Sequence, residues 1–274
     1  MILKKFTKLA LLLSSITLLT MIVSLIPPSQ TELDTAPPTN FSTITYELDW
    51  DWGDAVLTSG GWFVTNDRGY QIHVQRGYLV NRSLELIECT GSDATGESIA
   101  DRLRQTLAAQ PAYAGHNGAH DTSRITAPWV ESLTEPVTQT VETVLVTAPN
   151  YCQLHYLVAP GIETARHSPH EVEMLGMTLW LEGDYLAPGT STSVPFTIQT
   201  NLAWGEVAEL MTLSSEPLNT LQRDNVALQI TVRRDLETLF DGVDFETMPD
   251  IEQAKTVLRS LIQNTDVIIQ ARTL

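Results

Sequence analysis

The sequence predicts an all-β fold with minor helices: an antiparallel β-sandwich forming one large domain behind an N-terminal hydrophobic helix. Three observations carry this expectation. Apolar and polar residues alternate with a period of two in many short runs. Turn-forming residues such as "NDRG" at Asn66–Gly69 separate those runs. Only two stretches show helical spacing instead. Many short strands punctuated by turns are the pattern of a sandwich or barrel.

The first residues carry Lys4, Lys5 and Lys8 with no acid, and "LALLLSSITLLTMIVSLI", Leu9 to Ile26, follows without a charge. This is an export signal. As a helix the run would be about 27 Å long, just short of a hydrocarbon core of roughly 30 Å. Residues 1–26 therefore read either as a cleaved signal peptide or as an uncleaved signal anchor with its lysines inside. No small-residue cleavage frame fits well, since Ile22 spoils a cut after Ser24 and Pro37 would follow a cut after Ala36. Either way the remaining chain lies outside the cytoplasm, periplasmic or extracellular, and an uncleaved helix would hold it to the inner membrane. No cysteine precedes Cys89, which excludes a bacterial lipid anchor of the usual kind. "PPSQTELDTAPPTN", residues 27–40, is a polar, proline-bearing linker. Residues 41–274 have ample apolar content for one β-sandwich domain.

The strands follow in order. In "TITYELDWDW", Ile44, Tyr46, Leu48, Trp50 and Trp52 alternate with Thr45, Glu47, Asp49 and Asp51, a strand with one wet face. "GWFVTNDRGYQIHVQRGYLVNRSLELIEC" alternates again through Tyr70, Ile72 and Val74. Further β-like runs are "VETVLVTA", "YCQLHYLVA", "EVEMLGMTLWLEGDY", "SVPFTIQTN", "NVALQITVR" and "DVIIQAR". One helical insertion is expected near 98–108, with Ile99, Leu103 and Leu107 on one stripe. The other falls near 250–263, where Ile251, Ala254, Val257, Leu258, Leu261 and Ile262 would pack on a sheet.

Cys89 ends one predicted strand and Cys152 begins another. Two cysteines in an exported chain point to a disulfide, with two separately buried thiols as the alternative. The formal net charge of −17 makes nucleic acid an unsuitable partner and concentrates cations near the surface.

Three stretches together resemble a known family. They are "DRGYQIHVQRGYLVNRSLELIEC", the histidine-bearing "AGHNGAHD", and "VALQITVRRDLETLFDGVDF" followed by a helix and a last strand. The chain is similar to the MbnP-like family of exported, copper-associated periplasmic proteins. That resemblance implies an immunoglobulin-like sandwich outside the cytoplasm, copper as ligand, and a dihaem peroxidase-like protein as partner. It aligns no residue with the family's metal ligands.

The histidines themselves suggest metal chemistry. His116 and His120 form H-x3-H in a glycine-interrupted stretch, and His167 and His170 form H-x2-H in "RHSPH". Neutral imidazole is the commonest metal ligand, and Gly115 and Gly118 would let two rings converge. An imidazole-rich set without clustered thiolates suits copper or, second, zinc. The competing reading is solvated loop histidines that bind nothing. His73 and His155 sit at strand positions and read as ordinary strand residues. Met174 and Met177 could add soft ligands for copper(I), but in a strand their spacing puts them on opposite faces, which favours packing for at least one. Asp49, Asp51 and Asp54 lack the twelve-residue loop of a calcium site, and Asp49 and Asp51 read as the polar face of the first strand. No G-x-S-x-G, H-E-x-x-H or phosphate-binding loop is present. The expected function is an exported, non-enzymatic metal-binding protein of the cell envelope. The alternative is a structural or adhesion-type sandwich that binds protein or glycan without metal.

Overall fold

The alternation around Tyr46 folds as expected. In β1 (Phe41–Asp51), Ile44, Tyr46, Leu48 and Trp50 are buried, while Glu47 and Asp49 remain half-exposed. The computed structural model describes residues 41–88, 123–147, 151–212 and 227–271, all within a compact unit spanning Asn40–Leu274. The apolar run Leu9–Ile26, the linker, the helix expected near 98–108, Cys89, His116 and His120 lie outside the described residues. No helix among the described residues is long and apolar enough to cross a membrane.

The strands after β1 are β2 (Val56–Thr58), β3 (Gly61–Thr65), β4 (Gln71–Glu88), β5 (Trp129–Ser132), β6 (Gln139–Thr147) and β7 (Tyr151–Val158). They continue with β8 (Leu179–Leu186), β9 (Ser193–Thr200), β10 (Trp204–Glu209), β11 (Met211–Thr212), β12 (Ala227–Asp235) and β13 (Thr265–Ala271). One helix, α1 (Asp250–Gln263), precedes β13. The fold is all-β and sandwich-like. A five-stranded sheet runs in the order β11-β13-β12-β1-β6. An eight-stranded sheet runs β10-β7-β4-β3-β2, with β5 and β8 also on β4 and β9 on β8.

Most pairings are antiparallel, but β1 runs parallel to β12 from Thr43 opposite Ala227 to Asp51 opposite Asp235, and β11 runs parallel to β13. β4 is the spine of the larger sheet. A register shift between Val74 and Arg76 and another between Asn81 and Ser83 let its first half pair with β8 and its second half with β7. Such bulges bend a strand and increase its twist, which suits a strand as long as β4. Close approach of β8 to β4 requires glycine at 183, where a Cβ would collide with the His73 carbonyl oxygen.

One core lies between the sheets. Ile44, Leu48, Ile230 and Val232 from the smaller sheet meet Ile72, Leu84, Leu154 and Leu181 from the larger. Each such side chain contributes roughly 1.5–3 kcal/mol when wholly buried. The helix α1 buries Ala254, Val257, Leu258, Leu261 and Ile262. The apolar stripe differs from expectation at one end: Ile251, in the first turn, is exposed, and Gln253 is buried instead, donating to the Met248 carbonyl.

The run "EVEMLGM" does not extend β8. Residues 171–178 belong to an irregular segment, and β8 starts only at Leu179. Gly176 takes φ +75°, and Met177 N–H bonds back to the Met174 carbonyl at 3.1 Å. A turn of this kind is incompatible with an extended strand. It also brings Met174 and Met177 to the same small apolar cluster, where strand geometry would have set them on opposite faces. Asp49 and Trp50 behave as the strand reading requires: Asp49 pairs with Arg233 and Thr138 at the surface, and Trp50 enters the core.

Candidate functional site

Between β7 and β8 the chain leaves the larger sheet and crosses its outer face as a flap, residues 159–178. Backbone bonds fasten both ends. Ala159 N–H donates to Val80, Val80 N–H to Thr178, Gly161 N–H to Met177 and Gly176 N–H to Gly161. In the middle, Arg166 forms a parallel bridge with Trp129, with Val130 N–H donating to Arg166 and Arg166 N–H to Pro128 at 2.8 Å. Beneath the flap Val80, Val130 and Met174 form a second apolar cluster, separate from the main core.

His167 sits at the crest. It is the only described non-glycine residue with positive φ, at 62°, and its ring lies 4.0 Å from that of Trp129. A left-handed conformation costs an L-residue about 1–2 kcal/mol, so the surrounding contacts must hold it. The Arg166 guanidinium lies over the same indole at 5.4 Å and donates to Glu142 at 2.7 Å. Glu142 also accepts from the Thr126 backbone N–H and hydroxyl. Burial alone would raise the Glu142 carboxyl, but the two Thr126 bonds and the Arg166 charge outweigh it and hold the group below its ordinary range.

Glu142 therefore ties the flap to the segment that enters β5. The His167 ring is tilted by 36° to the indole, and both His167 and His170 are exposed. Neither imidazole makes a hydrogen bond or ion pair among the described residues. No group of three or more His, Cys, Asp or Glu among the described residues is arranged to hold a metal ion. His167 and His170 thus supply at most two donors of a site, and the other pair, His116 and His120, falls outside the described residues.

A comparison with protein-family models, curated proteins and solved structures finds no match. The resemblance to the MbnP-like proteins accordingly rests on the residues quoted for it.

The remaining histidines are strand residues. His73, on the outer face of β4, stacks on Phe63 at 4.1 Å with rings nearly parallel, and its Nδ1 lies 3.3 Å from Asp184. Asp184 also accepts from Gln75 and Ser193. His155 lies on β7 opposite Glu85 and Val207. Cys152 is half-buried on β7. The Arg166, Trp129 and Glu142 assembly was invisible to sequence reading because its members come from three separate elements and carry no local motif.

Proposed function

We propose that the protein is an exported, non-enzymatic envelope protein that captures a transition metal, copper before zinc, with His116, His120, His167 and His170 as donors. The observation that carries this reading is the bridge through Glu142. It holds Thr126 beside Arg166, and His120 precedes Thr126 by a stretch that can extend no more than about 20 Å. His120 is therefore tethered within about 20 Å of Thr126, and His116, ten residues before Thr126, within about 35 Å.

The left-handed His167, its ring held against Trp129, supports preorganisation, because less side-chain freedom remains to be lost on binding. The net charge of −17 supports cation approach. Imidazole donors without clustered thiolates suit copper(II), which the Irving–Williams order favours over zinc.

Calorimetry with copper and zinc on the full-length chain tests this proposal. His116→Ala/His120→Ala and His167→Ala/His170→Ala should each weaken copper binding by about tenfold or more, and binding should weaken as pH falls through about 6, where imidazoles protonate. Affinity unchanged in both double variants would reject it. The adhesion-type alternative is favoured by one feature, the exposed Val56, Leu57 and Phe63 on the β2–β3 hairpin at the margin of the larger sheet. A metal-free protein that retains its stability would support that alternative.

A further inference from the structure

A polar concavity lies far along the chain from the flap residues, between α1 and the turn that follows β12. It is an open cleft of about 350 Å³ with Asp241 and Gly242 on one wall and Thr256, Arg259 and Gln263 of α1 on the other. We propose that this cleft binds a small zwitterion of the α-amino-acid class, with the ammonium group at Asp241 and the carboxylate at Arg259.

The walls are built before any ligand arrives. Ser260 Oγ donates to the Thr238 carbonyl at 2.7 Å, and Asn264 Nδ2 donates to the Thr238 hydroxyl at 2.8 Å, so the end of α1 is tied to the loop after β12. Gly242 lies on the other side at φ +80°, where a Cβ would make ordinary contact with the Thr256 methyl at 3.6 Å. Asp241 is held in place by the Asp67 backbone N–H, which donates to its Oδ1 at 3.1 Å.

These ties occupy Ser260 and Asn264 and leave the exposed Arg259 guanidinium without a protein partner among the described residues. Neither Arg259 nor Gln263 makes a side-chain hydrogen bond or ion pair among the described residues. Arg259 therefore offers a full guanidinium fork to a carboxylate. Burial raises the Asp241 carboxyl and, despite the Asp67 backbone bond, the nearby Asp67 and Asp235 charges raise it further. A cation placed there would relieve that repulsion.

The two charges together select the ligand class. A metal ion would meet the repelling guanidinium of Arg259, and a simple anion would meet Asp241. A small molecule with both charges satisfies both walls, and the cleft volume stands at the lower end of the range for small-molecule pockets.

Ligand-observed NMR and calorimetry on the full-length chain in detergent, with L-alanine, acetate, ethylammonium and D-glucose as probes, test the proposal. L-Alanine should bind, with acetate and ethylammonium each at least about tenfold weaker. Arg259→Gln and Asp241→Asn should each reduce L-alanine affinity about tenfold or more, the loss expected for one charged hydrogen bond. Both substitutions lie outside the apolar core, and the side-chain amide introduced by Asp241→Asn keeps an oxygen that can accept from the Asp67 backbone N–H, so circular dichroism should show both variants folded. Absence of L-alanine binding at millimolar concentration, equal affinity for acetate or glucose, or unchanged affinity in both variants would overturn it.

Discussion

Arg234 of β12 and Glu131 of β5 are both wholly buried and face each other as an ion pair across the interior of the sandwich, Nη1 to Oε2 at 2.5 Å. The charges are surrounded by partners. Arg234 also donates to the Tyr156 hydroxyl and the Asn81 side-chain carbonyl, while Glu131 accepts from Asn81 Nδ2 and the Trp50 indole. The network joins β1, β4, β5, β7 and β12, and so links the two sheets. Breaking such a pair strands a buried charge, whereas replacing both members with apolar groups of similar volume does not. Arg234→Met should therefore cost roughly 3–5 kcal/mol in chemical denaturation, and Arg234→Met/Glu131→Met should recover much of that loss. A single variant as stable as the parent, with no coupling in the double variant, would contradict this account.

Tyr156 belongs to the same network and gives it an alkaline limit. Burial pushes its phenol up to about 12, with Arg234 working against that shift. A folded-state pKa above the unfolded value means that the folded chain holds the proton more tightly. The associated stability is present below about pH 10 and is lost as pH rises through about 12, an effect on the order of 3 kcal/mol. Tyr156→Phe should flatten the fall in stability between about pH 10 and 12. At neutral pH it should cost about 1–3 kcal/mol by leaving Arg234 Nε without its acceptor. Tyr70, also pushed up to about 12 and bonded to Asp244, should sustain a residual slope. Urea denaturation at neutral pH and at two points across the alkaline range would reveal the difference, and identical slopes for parent and variant would remove Tyr156 from the explanation.

The sandwich was legible because strand alternation is local: Ile44, Tyr46, Leu48 and Trp50 can be sorted from Glu47 and Asp49 with no knowledge of partners. Helix α1 was legible for the same reason, apart from Ile251, whose place in the first turn lies beyond the packed surface. The short strands β2 and β5 escaped notice, since runs of three or four residues carry too little periodicity to register. The parallel pairing of β1 with β12 joins Thr43 to Ala227, and no local pattern encodes a partner that distant. "EVEMLGM" failed for a different reason. Its apolar content packs on Val80 and Val130, but Gly176 turns the chain, so burial there does not imply a strand. Of the candidate metal site, the accessibility of His167 and His170 agrees with a loop reading, whereas the Trp129 platform and the Glu142 tie depend on tertiary contacts alone.

The flap has its own small core and should fail on its own. Met174 is buried against Val80 and Val130, outside the main cluster. Truncating a buried methionine typically costs about 2–5 kcal/mol through lost burial and the cavity left behind. Few apolar contacts hold this segment, so the loss should appear as local opening before global unfolding. Met174→Ala should accelerate amide hydrogen exchange across residues 159–178 while leaving protection in β1 and β12 unchanged. Uniform acceleration throughout the sandwich would show that the flap is not an independent unit.

Cys152 occupies a break in the β4–β7 ladder. Ile87 faces Gln153 and Glu88 faces Tyr151, so Cys152 is the extra residue opposite that step. Cys89 follows Glu88 directly in the chain, and consecutive Cα atoms are about 3.8 Å apart. Cys152 thus lies one step from the ladder partner of Glu88, the residue before Cys89 in the chain, and we propose that the two cysteines are bonded in an oxidising compartment. The bridge would close a loop of about 64 residues and contribute on the order of 4 kcal/mol in the chain-entropy model. Mass spectrometry of the unreduced, exported protein should find the peptides containing Cys89 and Cys152 joined. Cys89→Ser and Cys152→Ser should each lower stability, and the double variant should be about as stable as either single one, because one bond is lost in all three. Two thiols freely alkylated in the native protein, or additive losses in the double variant, would show that the cysteines act separately.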